Sequence, residues 1–208
     1  RRTPVVNRRE FVALAAAAIE RPMDEVMAIL PADHRIVDDQ GFRNALATAA
    51  RAAADGNLVT LGIEPTGPET GYGYVIAAGG LEGAAGEAAN PVERFIEKPA
   101  RERATELIAG GRAYWNAGIF VWRRDTVLAG LERHAGAILA PIIRAAVGSS
   151  DDLAAAYESV EARSIDYTLL EPASLEGNVR VVPVGVGWSD LGNWATLLEA
   201  LGEGVGGG

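Results

Sequence analysis

Two acidic residues far apart in the chain, Asp33 and Asp190, each follow a short apolar run. Asp33 ends Leu30-Pro-Ala-Asp33-His34, and Asp190 lies in Val186-Gly-Trp-Ser-Asp190-Leu-Gly-Asn193 after a Gly-rich turn. Two such strand-to-loop junctions meet only in a fold that brings distant strand ends to one edge. In open α/β sheets that edge, beyond the carboxyl ends of the strands, is where ligands bind. A carboxylate pair there suits a hard cation such as Mg²⁺, with phosphate oxygens filling its other positions. Asp33 also reads as a turn or helix cap, and Asp190 as a simple turn residue.

The apolar pattern around these residues predicts a fold class. Helical spacing marks 10–20 (Phe11, Leu14, Ala18) and 40–54 (Phe42, Leu46, Ala50). Strands are expected at 25–30, 57–63, 74–78, 92–97, 117–122 and 179–184. Further helices are expected at 101–109, 125–134, 138–146, 151–158, from 166 to 170, and at 192–201. Strands and helices recurring with short links predict an α/β fold with a mixed, mostly parallel sheet flanked by helices. The Gly/Ala-rich stretch from Gly79 to Asn90 reads as a surface excursion.

Hydrophobic residues make up 49% of 208 positions, enough for a sizeable core. A net charge of −9 argues against a nucleic-acid partner, which needs dense Lys and Arg. A small phosphorylated ligand needs only one or two local cations. No cysteine is present, so disulfides and thiolate metal sites are excluded. No long uninterrupted apolar run predicts a membrane span, and Arg1 to Asn7 lacks a signal-peptide core, so a cytoplasmic protein is expected. A homodimer is compatible with this reading, which does not fix an oligomeric state.

Four further segments carry chemistry. Gly71-Tyr-Gly73-Tyr74 either lets backbone amides approach a ligand or makes a tight turn into a strand. Phe95-Ile-Glu97-Lys98-Pro99 sets an acid and a base at a strand end. The acid can accept from sugar hydroxyls and the lysine suits phosphate, and the alternative is a solvated ion pair. In Tyr114-Trp-Asn116-Ala-Gly118-Ile-Phe, Asn116 offers donors and acceptors for a hydroxyl, while Trp115 reads as core. In Ser164-Ile-Asp166-Tyr167, Ser164 reads as an N-cap and Asp166 as a first-turn charge, a structural role. His34 and His134, with no third ligand at metal spacing, do not make a zinc site, and His134 reads as complementing a helix dipole.

Together these segments resemble the mannose-1-phosphate guanylyltransferases. Leu-Pro-Ala-Asp33-His, Pro68-Glu-Thr-Gly-Tyr-Gly-Tyr74, Phe95-Ile-Glu-Lys-Pro99, Trp115-Asn-Ala-Gly-Ile-Phe120, Ser164-Ile-Asp-Tyr167 and Trp188-Ser-Asp-Leu-Gly-Asn-Trp194 stand in that family's order, from about Val26 to Leu201. The resemblance implies a Rossmann-like nucleotidyltransferase fold. It implies transfer of GMP from GTP to mannose 1-phosphate by Mg²⁺-dependent in-line attack. Asp33 and Asp190 would hold Mg²⁺, and Lys98 would contact the sugar phosphate. Glu97, Asn116, Gly118 and the Gly73 backbone would read the sugar. Another hexose 1-phosphate, or an inactive sugar-phosphate-binding paralogue, is the alternative.

The resemblance places one nucleotidyltransferase domain over residues 1–201, with a Gly-rich end at 202–208. The family's Gly-Gly-x-Gly-x-Arg loop, which cradles the triphosphate, has no counterpart in the sequence. Gly110-Gly-Arg112 follows a helical segment and does not qualify. The Glu-Pro-x-Gly-Arg-Asn-Thr segment that helps bind guanine is also missing, although Val5-Val-Asn7 resembles what precedes it.

Overall fold

The structure is a computed structural model, and it describes residues 22–80, 82–146, 150–159 and 164–190. The helices expected at 10–20 and 192–201 lie outside the described residues.

In chain order the elements are β1 (Val26–Ile29), α1 (Asp39–Ala54), β2 (Leu58–Ile63), β3 (Tyr74–Ala77), β4 (Asn90–Ile96), α2 (Arg101–Ala109) and β5 (Ala113–Arg123). There follow α3 (Arg124–Ala146), α4 (Ser150–Ser159), a π-helical turn (Asp166–Leu170), α5 (Glu171–Leu175) and β6 (Val179–Val184). The local signals act where expected. Asp38 caps α1 by accepting the Gly41 N–H at 2.9 Å. The two helices expected at 125–134 and 138–146 form and adjoin across a break at Ala135 (φ −138°), just before Gly136.

The expected mostly parallel sheet is corrected. Among the described residues only β2 and β6 pair in parallel; β1–β5, β2–β5, β3–β5, β3–β4 and β4–β6 are antiparallel. Parallel neighbours need a long crossover, usually a helix. Here the β2–β3 and β3–β4 links are loops, and β5 runs against three partners. Trp115 stands opposite both Ile63 and Tyr74, and Phe120 opposite both Ile29 and Thr60. A strand residue has two edges, so β2 lies along one edge of β5, and β3 and β1 share the other.

The register also aligns the strand ends that matter. Val184 pairs with Ile63, Ile63 with Trp115, Trp115 with Tyr74, and Tyr74 with Ile96. Gly73, Glu97 and Asn116 therefore lie together on one side of this row, whereas the segment after Val184 leaves on the other side and reaches the same cleft only further on, at Trp188 and Asp190.

Side-chain alternation builds a core on each face of the sheet. Phe120, Trp122, Val179 and Val181 face Leu131, Ile142 and Leu169. Trp115, Ile119, Val121, Val182 and Val184 face Ala45, Ala49 and Leu107. Each large side chain so buried contributes about 1.5–3 kcal/mol. The stretch Arg124–Ala145 has the length and mean hydropathy of a membrane span, 1.2 over its window. Its Val127, Leu131, Leu139 and Ile142 pack into the core, which accounts for that apolar character.

Candidate functional site

An open cleft of about 520 Å³ lies beside this row of paired residues. Asp33, Gly73, Glu97, Lys98, Asn116, Gly118 and Asp190, the seven residues singled out in the sequence, all line it.

Backbone pairing draws the two aspartate loops together. Arg35 N–H donates to Ser189 O at 2.8 Å, and Ser189 N–H returns to Arg35 O at 3.0 Å. Val37 and Asp38 N–H both donate to Val186 O, at 3.0 and 3.1 Å. This short antiparallel clasp brings the segment after β1 beside the segment after β6. His34 is held between them: Trp188 Nε1–H donates to its Nδ1 at 3.1 Å, with the rings edge-on. An indole N–H only donates, so Nδ1 is unprotonated and the neutral imidazole carries its proton on Nε2. Burial lowers the His34 pKa, and the Asp33 and Asp190 carboxylates partly oppose that shift. Both carboxylates thus bear on the same imidazole.

Tyr72 closes this side of the cleft. Its ring meets Trp115 and Trp188 edge-on at 5.1 and 5.6 Å. Burial raises its pKa, and the neighbouring Asp190 carboxylate, which accepts its hydroxyl, raises it further.

Another part of the cleft is built from Gly73 and the residues that follow β4. Lys98 Nζ lies 3.0 Å from Glu97 Oε1, with the lysine side chain 46% exposed and the glutamate 16%. Lys98 has φ +43°, a left-handed conformation costly for a residue with a Cβ, immediately before Pro99. It is the sole lysine in the sequence. Gly73 stands against Glu97: a Cβ there would meet Glu97 Oε2 at 2.5 Å. The Gly73 carbonyl accepts the Asn116 N–H at 2.8 Å and so faces β5.

The floor is a bulge in β5. Between the pairs Thr60–Phe120 and Gly62–Asn116 the register slips, so β5 carries extra residues there. Gly118 turns the bulge with φ +65°. Bulging aims Asn116 into the cleft and engages its amide. Oδ1 accepts the Gly118 N–H at 3.2 Å and lies 3.0 Å from the Thr60 hydroxyl, while Nδ2 donates to Asp166 Oδ1 at 2.7 Å. The fixed donor on one side and the carboxylate on the other set the amide's orientation.

Asp166 is a first-turn charge, as read, on what proves to be a π-helical turn, and it lines the cleft as well. The Ser164 cap is weak, since its Oγ is 3.5 Å from the Tyr167 N–H. Thr60 and Tyr72 were not singled out in the sequence. A threonine in a buried strand and a tyrosine beside glycine carry no distinctive local signal. His134, expected at a helix dipole, has Nε2 3.6 Å from Glu176 Oε2 at the opposite end of the sheet. Trp115 is core, as read, and Trp194 lies outside the described residues.

Among the described residues no cluster of three or more acidic or histidine side chains forms a metal cage. Two carboxylates on one side of an open cleft instead fit a hard cation that keeps water and phosphate ligands, the habit of Mg²⁺.

A mixed α/β sheet thus gathers carboxylates, an amide and one lysine around a polar cleft. The chain belongs to the nucleotidyl transferase family, whose model matches residues 7–203. Over 202 residues it is 39% identical to the xanthan biosynthesis protein XanB of Xanthomonas campestris, covering 93% of this chain and 41% of that protein. It is 38% identical to the mannose-1-phosphate guanylyltransferase ManC of Salmonella typhimurium, covering 93% and 42%. The chain thus spans about two fifths of these relatives' length. A solved structure described as mannose-1-phosphate geranyltransferase from Thermus thermophilus superposes with a TM-score of 0.80 at 35% identity, covering 96% of this chain and 56% of that one.

Proposed function

We propose that this chain carries the nucleotidyltransferase site of a mannose-1-phosphate guanylyltransferase, with residues 1–201 as that domain. The observation that carries the reading is that seven residues share one cleft, the two aspartates and the Glu97–Lys98 pair among them. The name of the ManC relative at 38% identity supports the choice of mannose 1-phosphate and GTP.

A phosphate oxygen of mannose 1-phosphate attacks the α-phosphorus of GTP in line. The new P–O bond joins the two as GDP-mannose, and the bond to the β-phosphate oxygen breaks to release pyrophosphate. Attack brings two anions together, so positioning and charge compensation dominate catalysis. Lys98, which lines the cleft beside Glu97, offsets charge on the sugar phosphate. Glu97 accepts from sugar hydroxyls, as the Gly73 and Gly118 backbone allows the ring to approach. Asp33 and Asp190 would hold Mg²⁺, which, when bound, neutralises phosphate charge. The Tyr72 hydroxyl, which donates to Asp190, helps to fix that carboxylate.

Pyrophosphate release with Mg²⁺, mannose 1-phosphate and each of GTP, ATP, UTP and dTTP tests the reading. Release with GTP supports it, and release only with another nucleotide moves the chain to a sister activity. No release from a folded sample that binds mannose 1-phosphate leaves a binding function.

A further inference from the structure

We infer that Asn116 and Asp166 act as one unit that reads a single sugar hydroxyl, which makes Asp166 a specificity-determining residue of the cleft. The inference rests on the sugar-phosphate reading above.

The argument starts from what the Asn116 amide has left to offer. Its oxygen takes the Gly118 N–H at 3.2 Å and faces the Thr60 hydroxyl at 3.0 Å, so both acceptor positions are directed into the protein. One N–H of Nδ2 is committed to Asp166 Oδ1 at 2.7 Å. Toward a ligand the amide therefore presents one donor. Asp166 lines the same cleft, and a carboxylate only accepts, at several lone-pair positions.

A hydroxyl is both a donor and an acceptor. Placed beside this pair, it accepts from Asn116 and donates to Asp166. An isolated amide or carboxylate makes only half of that match. A phosphate oxygen or a ring oxygen cannot donate and meets a negative charge at Asp166, so the pair selects a hydroxyl and turns the phosphate toward Lys98. Asp166 also holds the amide in the one orientation that presents its donor. The π-helical turn over Asp166–Leu170 places the carboxylate over the β5 bulge, with Leu169 and Leu170 buried beneath it.

The test compares the full chain with Asp166→Asn and Asn116→Ala variants. The assay uses mannose 1-phosphate and its monodeoxy analogues, with GTP varied separately and calorimetric binding of each sugar phosphate measured alongside. Leaving a partner of a ligand hydroxyl unpaired costs about tenfold or more. Asp166→Asn is expected to raise the KM for mannose 1-phosphate at least about tenfold and leave the KM for GTP within about twofold. One deoxy analogue should be weakened in the unaltered protein and not weakened further in the variant, since the partner is already gone. Equal losses on every sugar, or on sugar and GTP alike, would mark Asp166 as structural and overturn the inference. If Asp166→Asn does not fold, Asp166→Ser is read by the same criterion. An unaltered protein that binds no hexose 1-phosphate overturns the proposed function and this inference together. Binding and transfer with no coupling to any hydroxyl overturns this inference alone.

Discussion

Glu97 Oε2 occupies the space a side chain at Gly73 would need, 2.5 Å from the position of its absent Cβ. Glycine here is a packing requirement, because the backbone at Gly73 is not in the left-handed region. Gly73→Ala should displace the Glu97 carboxylate, and through their 3.0 Å contact the Lys98 ammonium with it. The expected result is a rise of about tenfold in the KM for the sugar phosphate, as when a hydrogen-bonded ligand group loses its partner. Because the overlap is with the end of a side chain, stability should fall by only about 1 kcal/mol, a few degrees in Tm. Unchanged kinetics would show that Glu97 does not position the sugar.

Asp190 is coupled to Tyr72 as well as to the proposed cation site. Asp190→Asn should lower turnover by about a hundredfold or more while leaving the far-ultraviolet spectrum and melting behaviour close to those of the unaltered chain. The same substitution removes a carboxylate that disfavours the tyrosinate. The Tyr72 pKa, raised by burial and then by Asp190, should therefore fall toward the ordinary tyrosine value without reaching it. Spectrophotometric titration against a Tyr72→Phe control reads the shift. A Tyr72 titration indifferent to Asp190 would remove the tyrosine from the aspartate wall.

What could be read in the sequence follows the range of the interactions. Arg101–Ala109 and Val179–Val184 form where periodicity predicts, because a helix and a buried strand are specified by their own residues. Strand direction was not legible: antiparallel pairing of β5 with β1, β2 and β3 depends on partners tens of residues away. The same division runs through the cleft. Lys98 and Asn116 stand in recognisable segments, but the partnership of Asn116 with Asp166 exists only because a bulge at Gly118 turns the amide toward the π-helical turn. Asp166 in its own segment looks like an ordinary helix-start charge.

The left-handed backbone at Lys98 separates strain from function. A Cβ-bearing residue at φ +43° carries about 1–2 kcal/mol of strain that glycine avoids. Lys98→Ala and Lys98→Gly should both weaken sugar-phosphate binding, since each removes the ammonium. In chemical denaturation the glycine variant should be the more stable of the two, by about 1 kcal/mol after its greater unfolded-state entropy is counted. The reverse order would mean that residue 98 is not held at positive φ in solution.

Because Lys98 is the sole lysine, an amine-directed reagent reports on the cleft without mutation. The only other amine is the chain terminus, which a mass map of peptides separates from Lys98. Lys98 is 46% exposed and bonded to Glu97 at 3.0 Å. It should therefore react at a measurable rate in the free protein, most readily as rising pH leaves more of the amine unprotonated. A bound sugar phosphate that pairs with the ammonium both covers it and favours its protonated, unreactive form. Mannose 1-phosphate at saturation should therefore slow modification of Lys98 by about tenfold, the equivalent of about 1.4 kcal/mol, while leaving the terminus unaffected. Free mannose, lacking the phosphate, should protect far less. Equal labelling of Lys98 with and without mannose 1-phosphate, in a sample shown by calorimetry to bind it, would place the phosphate elsewhere in the cleft.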